Sequence, residues 1–221
     1  MSTRVLFDRI KKNNTLIDKG FEKNMKKKTT RQIKAENTKA NILAVATDLF
    51  THKTLDEISI LEICKKAEVS VGAFYHHFAN KAGIIVELYK EIDVQFENEV
   101  YPSLIKEEPI EAILKYLERQ CTVPAETGMD LVKNIYKAQI DYGSAFFLSV
   151  GRGLPHGLYL LIKKAKEQGK IKENASEEQL TNELLIISRG IIYNWCVSDG
   201  KTNPSNMVRW MANNYLQTFV K

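Results

Sequence analysis

The stretch ISILEICKKAEVSVGAFYHHFANK, residues 58–81, contains the signals for two short helices separated by a turn. Ser59 is followed three residues later by Glu62, a capping-box pair that satisfies unpaired backbone amides where a helix begins. The first helix therefore begins near Ser59. Ser70 is placed to cap a second, very short helix that ends near Phe78. Two short helices at this spacing predict a helix-turn-helix.

Longer helical segments are predicted on both sides of this pair. Between about Glu36 and Thr51, apolar residues recur at helical spacing and would bury one face. Asn80 is placed to cap a fourth helix that runs to about Tyr101, where Pro102 prevents its continuation. With only 5 prolines and 11 glycines and no strand-like alternation, the chain is predicted to be all-α.

The composition excludes several classes of protein. With 44% apolar and 27% charged residues, the 221-residue chain can bury ordinary globular cores. The aliphatic runs are short, such as residues 184–187, and no apolar segment lies near Met1, so we expect a cytoplasmic protein without a membrane span. The scattered Cys64, Cys121 and Cys196 predict buried thiols. We expect no disulfide framework, no metal site and no cofactor.

The net charge of +5 is unevenly distributed along the chain. Residues 1–34 carry eleven basic and three acidic residues, a net +8, whereas residues 35–81 carry −1 and residues 82–221 carry −2. A basic arm before a folded domain is either a solubilising tail or a segment that docks on nucleic-acid phosphates.

From Ile42 to Lys81 the chain resembles the DNA-binding domain of the TetR (tetracycline-repressor) family of transcriptional regulators. VGAFYHHF followed by ANK is similar to the family's Gly-x-aromatic-Tyr-x-x-Phe-x-x-Lys signature. Core positions of the family pattern are occupied by Ala46, Phe50, Ile63, Ala67 and Val69.

The resemblance implies an N-terminal three-helix DNA-binding domain and a C-terminal helical domain for ligand binding and dimerisation. We place the basic arm at 1–34, the DNA-binding domain with its connecting helix at 35–101, and the second domain at 102–221. The implied function is a homodimeric transcriptional regulator, a repressor released from a palindromic double-stranded DNA operator by a small-molecule effector. The alternatives are a small cytoplasmic helical enzyme and a ligand-independent helical interaction module. No hydrolase elbow, P-loop or zinc-protease motif is present, so no catalytic residue is assigned.

In a helix-turn-helix the second helix enters the major groove, with its first residues at base edges and its flanks on phosphates. Glu68 stands where the family usually has Gly in the turn. Since Val71 and Ala73 replace polar residues of the family pattern, we expect apolar contact with thymine methyl groups. The predicted DNA contacts are Lys28, Arg31, Ser59, Ser70, Val71, Gly72, Ala73, Tyr75, His76 and Lys81.

The last two predicted helices carry the signal for dimerisation. The first, from about Glu177 to Val197, is apolar around so much of its circumference that it must be buried on two sides. The second begins at Asn203 and Pro204. Two such helices from each subunit would form a four-helix interface. The predicted interface residues are Leu180, Leu184, Ile187, Ile191, Trp195, Val208, Met211 and Tyr215.

A ligand pocket in the second domain is implied by the resemblance. Arg189 either pairs with a protein carboxylate or binds an acidic effector. Gly151-Arg152-Gly153 lacks the third glycine of a dinucleotide fingerprint, and we expect this segment, with Phe146 and Phe147, to form a mobile loop over the pocket. The predicted wall residues are Tyr101, Tyr116, Gln120, Tyr136, Gln139, Phe147, Tyr159, Arg189 and Asn194.

Overall fold

The computed structural model describes residues 29–142, 149 and 151–220, and this part of the chain is almost entirely helical. Its one β-type pairing is an isolated bridge between Ile171 and Val220. The all-α prediction is confirmed. The helices are α1 (Thr30–Phe50), α2 (Ile60–Lys66), α3 (Val71–His77), α4 (Lys81–Gln95), a π-helical turn (Phe96–Val100), α5 (Tyr101–Leu104), α6 (Pro109–Thr127), α7 (Met129–Tyr142), α8 (Gly153–Glu167), α9 (Glu177–Val197) and α10 (Pro204–Gln217).

Side-chain caps determine where the helices of the predicted motif begin. Ser59 accepts a hydrogen bond from the Glu62 amide at 3.0 Å, and Ser70 accepts one from the Ala73 amide at 3.1 Å, as the sequence predicted. Helix α1 begins at Thr30, earlier than the predicted Glu36, because Thr29 and Gln32 form a capping box there.

The helix after the motif differs from its prediction at its C-terminal end. Asn80 Oδ1 accepts a hydrogen bond from the Gly83 amide at 3.0 Å, which confirms the predicted cap. The chain stays helical past Pro102, as far as Leu104. After the π-helical turn a new helix begins at Tyr101, and Pro102 lies in the first turn of that helix. Proline is tolerated at that position, where its missing N–H would have no intrahelical partner.

The described chain divides into two compact units. One runs up to Leu88 and includes Glu126–Tyr142, and the other contains Tyr89–Ala125 and the described residues after Tyr142. The sequence-based boundary at 101 placed all of 102–221 in one domain, whereas α7 is part of the first unit. The physical reason is a buried side chain of α7, Asn134, which binds the loop between α1 and α2.

Each unit has its own apolar core. In the first unit Ile42, Ala46, Phe50, Ile63, Phe74 and Ile84 are fully buried. In the second unit the fully buried residues include Phe96, Ile113, Tyr116, Leu117, Leu158, Ile162, Leu184, Val208 and Leu216.

All three cysteines are buried thiols outside any disulfide among the described residues, as predicted. Burial is the main cause that raises the pKa of the Cys121 thiol to about 12, so this group stays protonated and unreactive at neutral pH. Over the described residues, no helix combines the length and the apolar character needed to cross a membrane.

Candidate nucleic-acid interface

Helix α3 presents a row of exposed residues above a buried aromatic base. Phe74 is fully buried and Phe78 nearly so, and the rings of these two residues lie 5.7 Å apart. Tyr75 is 55% exposed on the opposite side, and its ring meets Phe74 edge-on at 5.6 Å. The buried pair fixes the helix on the domain and leaves its outer face open. The predicted contacts on this exposed face are Ser70, Val71, Gly72, Tyr75 and His76, with Ala73 partly buried beside them.

Gly72 sits in open space on this face. A Cβ atom added there would meet only Ser70 Oγ, at 3.8 Å. The fold itself therefore does not require glycine at this position, and any close approach that depends on it involves a molecule outside the chain.

The turn between α2 and α3 has a left-handed backbone at Glu68, whose φ is 54°. The Val69 amide donates to Cys64 O at 3.0 Å, which closes the C-terminal motif in which a left-handed residue usually is glycine. Asn41 of α1 supports the same turn by donating to Ala67 O at 2.7 Å. Glu68 is exposed, so its negative charge lies beside the outer face of α3.

Lys81 requires a correction, because its ammonium group binds protein carbonyls. It donates to Ile58 O at 2.8 Å and also to Leu55 O, both in the segment that leads into α2. Two of its three N–H donors are therefore committed within the domain. Lys81 fixes the position of Ser59 relative to α4, which the sequence analysis did not anticipate.

The remaining predicted DNA contacts are compatible with an outer surface. Ser59 and Arg31 are exposed, although the Ser59 hydroxyl oxygen already caps α2. Lys28 lies outside the described residues. Two further exposed residues of α2 were not among the predicted contacts: Leu61, which is 71% exposed, and Lys65, one turn further along the helix. Their spacing of four residues could have indicated that they lie on the same exposed face of α2.

Asn134 is a buried polar side chain that the sequence analysis missed. It is 1% exposed, and its amide nitrogen donates to Phe50 O at 3.2 Å and to Lys53 O at 3.0 Å. Its amide oxygen accepts from the Leu55 amide at 3.0 Å. One side chain thus satisfies three backbone groups of the α1–α2 loop.

The two adjacent histidines at the end of α3 have different surroundings. His76 is exposed, and its ring lies 4.9 Å from that of the partly buried His77. Burial lowers the pKa of His77, and the charges of His76 and Lys39 lower it further. Among the described residues no group of three or more His, Cys, Asp or Glu is arranged to hold a metal ion.

The predicted effector pocket is only partly supported by the positions of its residues. Tyr116 is fully buried and donates to Leu154 O at 2.8 Å while its ring packs against Phe96 at 5.0 Å, so it is a core residue. Burial raises its pKa well above the ordinary value of tyrosine. Asn194 is exposed on α9 and lines no interior space.

The other predicted wall residues fall into three groups. Tyr101, Tyr159 and Arg189 are partly buried, and Gln120 is buried in α6. Tyr136 and Gln139 lie on α7 in the first unit, apart from the grouping that the sequence predicted. Phe147, with the neighbouring Phe146, lies outside the described residues.

The segment Gly151-Arg152-Gly153 has a structural role at the start of α8. Arg152 binds both carboxylate oxygens of Asp93, at 2.7 and 3.0 Å, and the guanidinium lies 5.2 Å from the centre of the Tyr89 ring. Asp93 also accepts from the Leu154 amide at 3.2 Å. A Cβ atom on Gly153 would come within 2.3 Å of Asp93 O. For Arg152 and Gly153 the expected mobile loop is therefore replaced by a fixed helix start.

The predicted dimer interface also requires correction, because most of its residues are used within one chain. Five of the eight residues are buried where α9 packs against α8 and α10, so they offer almost no surface to a partner. These five are Leu180, Leu184, Ile191, Trp195 and Val208. Ile187 and Tyr215 are partly buried, Tyr215 donates to Glu183, and Met211 is exposed.

The exposed apolar residues of α9 lie on its other side. Ile186, Tyr193 and Val197 are 55–63% exposed, and their spacing of seven and four residues places them in one row. Gly190 lies in the same row, and a Cβ atom added there would meet no neighbour. We call Ile186, Gly190, Tyr193 and Val197 the outer row of α9.

These features define a helix-turn-helix protein with a second helical unit. Residues 42–88 match the model of the tetR family of bacterial regulatory proteins. The resemblance predicted from the sequence is thereby confirmed for this segment.

Similar proteins support the same family. Over 67 residues, 30% of this chain, it is 39% identical to the Transposon Tn10 TetC protein of Escherichia coli. Over 54 residues, 24% of the chain, it is 35% identical to the HTH-type transcriptional regulator UidR of Escherichia coli K12. These matches span about a third of the curated relatives, 34% of TetC and 28% of UidR.

The described fold also resembles that of a solved structure over most of the chain. Thermus thermophilus FadR, a TetR-family transcriptional repressor solved in complex with lauroyl-CoA, superimposes with a TM-score of 0.68 at 19% identity. The alignment covers 81% of this chain and 93% of FadR.

Proposed function

We propose that the protein is a homodimeric transcriptional regulator that binds a palindromic operator and is released from it by a small-molecule effector, most simply as a cytoplasmic repressor. The observation that carries the proposal is the exposed face of α3, held outward by the buried Phe74 within a TetR-family domain. The name of UidR as a transcriptional regulator supports this function over an enzyme or an architectural module.

DNA recognition would combine apolar readout with a small number of phosphate contacts. Val71 and Ala73 present methyl groups, which complement the C5-methyl of thymine in the major groove. Tyr75 and His76 have exposed polar atoms at the flank of the helix, suited to phosphate oxygens. The basic arm, with Arg31, supplies the positive charge that nonspecific attraction to DNA requires.

The test is operator binding by variants of the exposed face. Footprinting upstream of the protein's own gene would identify the operator, and fluorescence anisotropy would measure the affinity. Tyr75→Ala should weaken binding by about 10- to 100-fold, since a good polar or base contact is worth about 1–3 kcal/mol. Ile140→Ala, an exposed apolar change on α7 of the same unit, is the control and should leave the affinity unchanged. Equal affinities for wild type and Tyr75→Ala would contradict the proposed interface.

Dimerisation would use the outer row of α9. Three exposed apolar residues around a glycine form a face on which a second copy can approach closely. Tyr193→Asp should convert a sedimenting dimer into a monomer, because a carboxylate would be buried at the centre of the contact. Asn174, which is exposed in the turn before α9, provides the control Asn174→Asp with the same added charge. A dimer that persists in Tyr193→Asp would exclude this face.

The effector would bind in the second unit. The structural similarity to FadR with bound lauroyl-CoA supports ligand binding by such a unit, while the chemical class of the effector has to come from this chain's own residues. Release of DNA on binding would be a coupling of two sites, each ligand reducing the affinity for the other.

A further inference from the structure

Helix α6 contains a buried amide whose oxygen has no hydrogen-bond donor. Gln120 is 9% exposed, and its Oε1 accepts no hydrogen bond from any described residue. Buried acceptors are nearly always paired, because an unpaired one has lost its hydration without replacement. Such a group in a folded protein therefore calls for a donor from outside the described residues.

The surroundings of Gln120 follow from the residue one turn before it on α6. Tyr116 contacts Phe96 in the π-helical turn and Leu154 in the first turn of α8. Helix α8 runs antiparallel to α6, since Lys164, near the end of α8, donates to Ile105 O just before α6 begins. Gln120 lies about 6 Å beyond Tyr116 along α6, in the direction that leads towards the start of α8. It is therefore near the height at which α8 begins.

The polar groups known at that level are bound to one another. Arg152 and the Leu154 amide bind the carboxylate of Asp93, and the Arg152 guanidinium lies over the Tyr89 ring. The neighbours of Gln120 on its own helix face, such as Ile113 and Leu117, are apolar and fully buried. A molecule that reaches Gln120 would thus meet apolar neighbours and one unpaired acceptor.

We propose that Gln120 is the polar anchor of the effector site and that the effector presents an N–H or O–H donor to Oε1. Amides, alcohols, phenols and amines on an otherwise apolar skeleton have this chemistry. A carboxylate or phosphate would place acceptor against acceptor and is disfavoured at this point. The inference rests on the proposed function, because an effector is part of it.

The unpaired oxygen gives the ligand-free protein a distinctive response to mutation. Gln120→Leu keeps the approximate size of the side chain and removes the unpaired acceptor, so it should raise the melting temperature of the full chain by about 2–8 °C. The matched control is Asn134→Leu, which removes a buried amide with three hydrogen-bond partners and should lower the melting temperature.

Small probes of similar length then test the class of ligand. In thermal-shift measurements, 1-hexanol and hexanamide carry a donor, hexanenitrile has only an acceptor, and hexanoate is an anion. The two donor probes should stabilise the wild type, hexanenitrile and hexanoate should not, and Gln120→Leu should lose the difference.

Two results would overturn the assignment: a lower melting temperature for Gln120→Leu, or equal effects of all four probes on the wild type, including no effect. Operator binding by ligand-free Gln120→Leu should equal that of the wild type. If the wild type binds no operator, the proposed function fails, whereas the melting and probe measurements still decide the role of Gln120.

Discussion

Replacing Glu68 with glycine should stabilise the protein, which is unusual for a glycine substitution next to a helix. Glu68 occupies the left-handed position that ends α2, with φ of 54°. The same hydrogen-bond pattern ends α8 at Gly169, with φ of 69°, where the Lys170 amide donates to Ala165 O at 2.9 Å. The described residues therefore contain one such turn with glycine and two with a side chain, at Glu68 and at Asp199, where φ is 48° and the Gly200 amide donates to Trp195 O at 3.0 Å.

The size of the effect follows from two opposing contributions. A left-handed conformation costs a residue other than glycine about 1–2 kcal/mol in the folded state. Glycine increases the conformational entropy of the unfolded chain, which costs about 0.4–1 kcal/mol. Glu68→Gly should therefore gain about 0.5–1 kcal/mol, equivalent to a rise of about 2 °C in melting temperature.

Urea denaturation of three variants separates the backbone effect from the loss of charge. Glu68→Ala removes the same charge but keeps the Cβ atom, so its stability should remain close to that of the wild type. Gly169→Ala introduces the strain and should cost about 1 kcal/mol. Equal stabilities for Glu68→Gly and Glu68→Ala would refute the argument that the backbone is strained. Any change in operator affinity caused by the charge should be equal in these two variants.

Three further predictions concern the first unit. Asn134→Leu should lower the free energy of unfolding by about 3 kcal/mol in urea denaturation, at about 1 kcal/mol for each of three buried hydrogen bonds; a change below about 0.5 kcal/mol would contradict it. Because the pKa of His77 is lowered in the folded state, protonation favours unfolding, so the wild type should lose stability relative to His77→Gln as pH falls below about 6.5; parallel stability curves for the two proteins between pH 7 and 5 would contradict it. Lys81→Met should weaken operator binding without changing the slope of log K against log salt, whereas Arg31→Ala should reduce that slope by about 0.9; a reduced slope for Lys81→Met would restore it as a phosphate contact.

Local signals in the sequence were sufficient to predict the helix-turn-helix. The caps at Ser59, Ser70 and Asn80 act over three residues, so each could be read from the sequence without knowledge of the fold. At Glu68 the sequence left open whether the turn is locally different or strained, and the φ of 54° shows a left-handed residue there.

Long-range contacts could not be predicted in the same way. Asn134 lies 79–84 residues from the loop groups that it binds, and nothing in its local sequence distinguishes it from a surface asparagine. Lys81 matches the family signature, but its two carbonyl partners lie 23 and 26 residues away. The sequence showed that α9 is apolar on two sides, yet which side faces α8 and α10 depends on the packing of three helices. The predicted interface was therefore placed on the buried side, away from the outer row.

The two long-range side chains, Asn134 and Lys81, together fix the segment that leads into the helix-turn-helix. Between the end of α1 and the start of α2, Asn134 binds Phe50 O, Lys53 O and the Leu55 amide, and Lys81 binds Leu55 O and Ile58 O. Five backbone groups of one segment are therefore bound by side chains from α7 and α4. The family match covers residues 42–88 and includes Lys81 but not Asn134. A fragment that ends at residue 88 would keep the whole motif and lose three of the five bonds, so the position of α2 depends on a helix outside the motif.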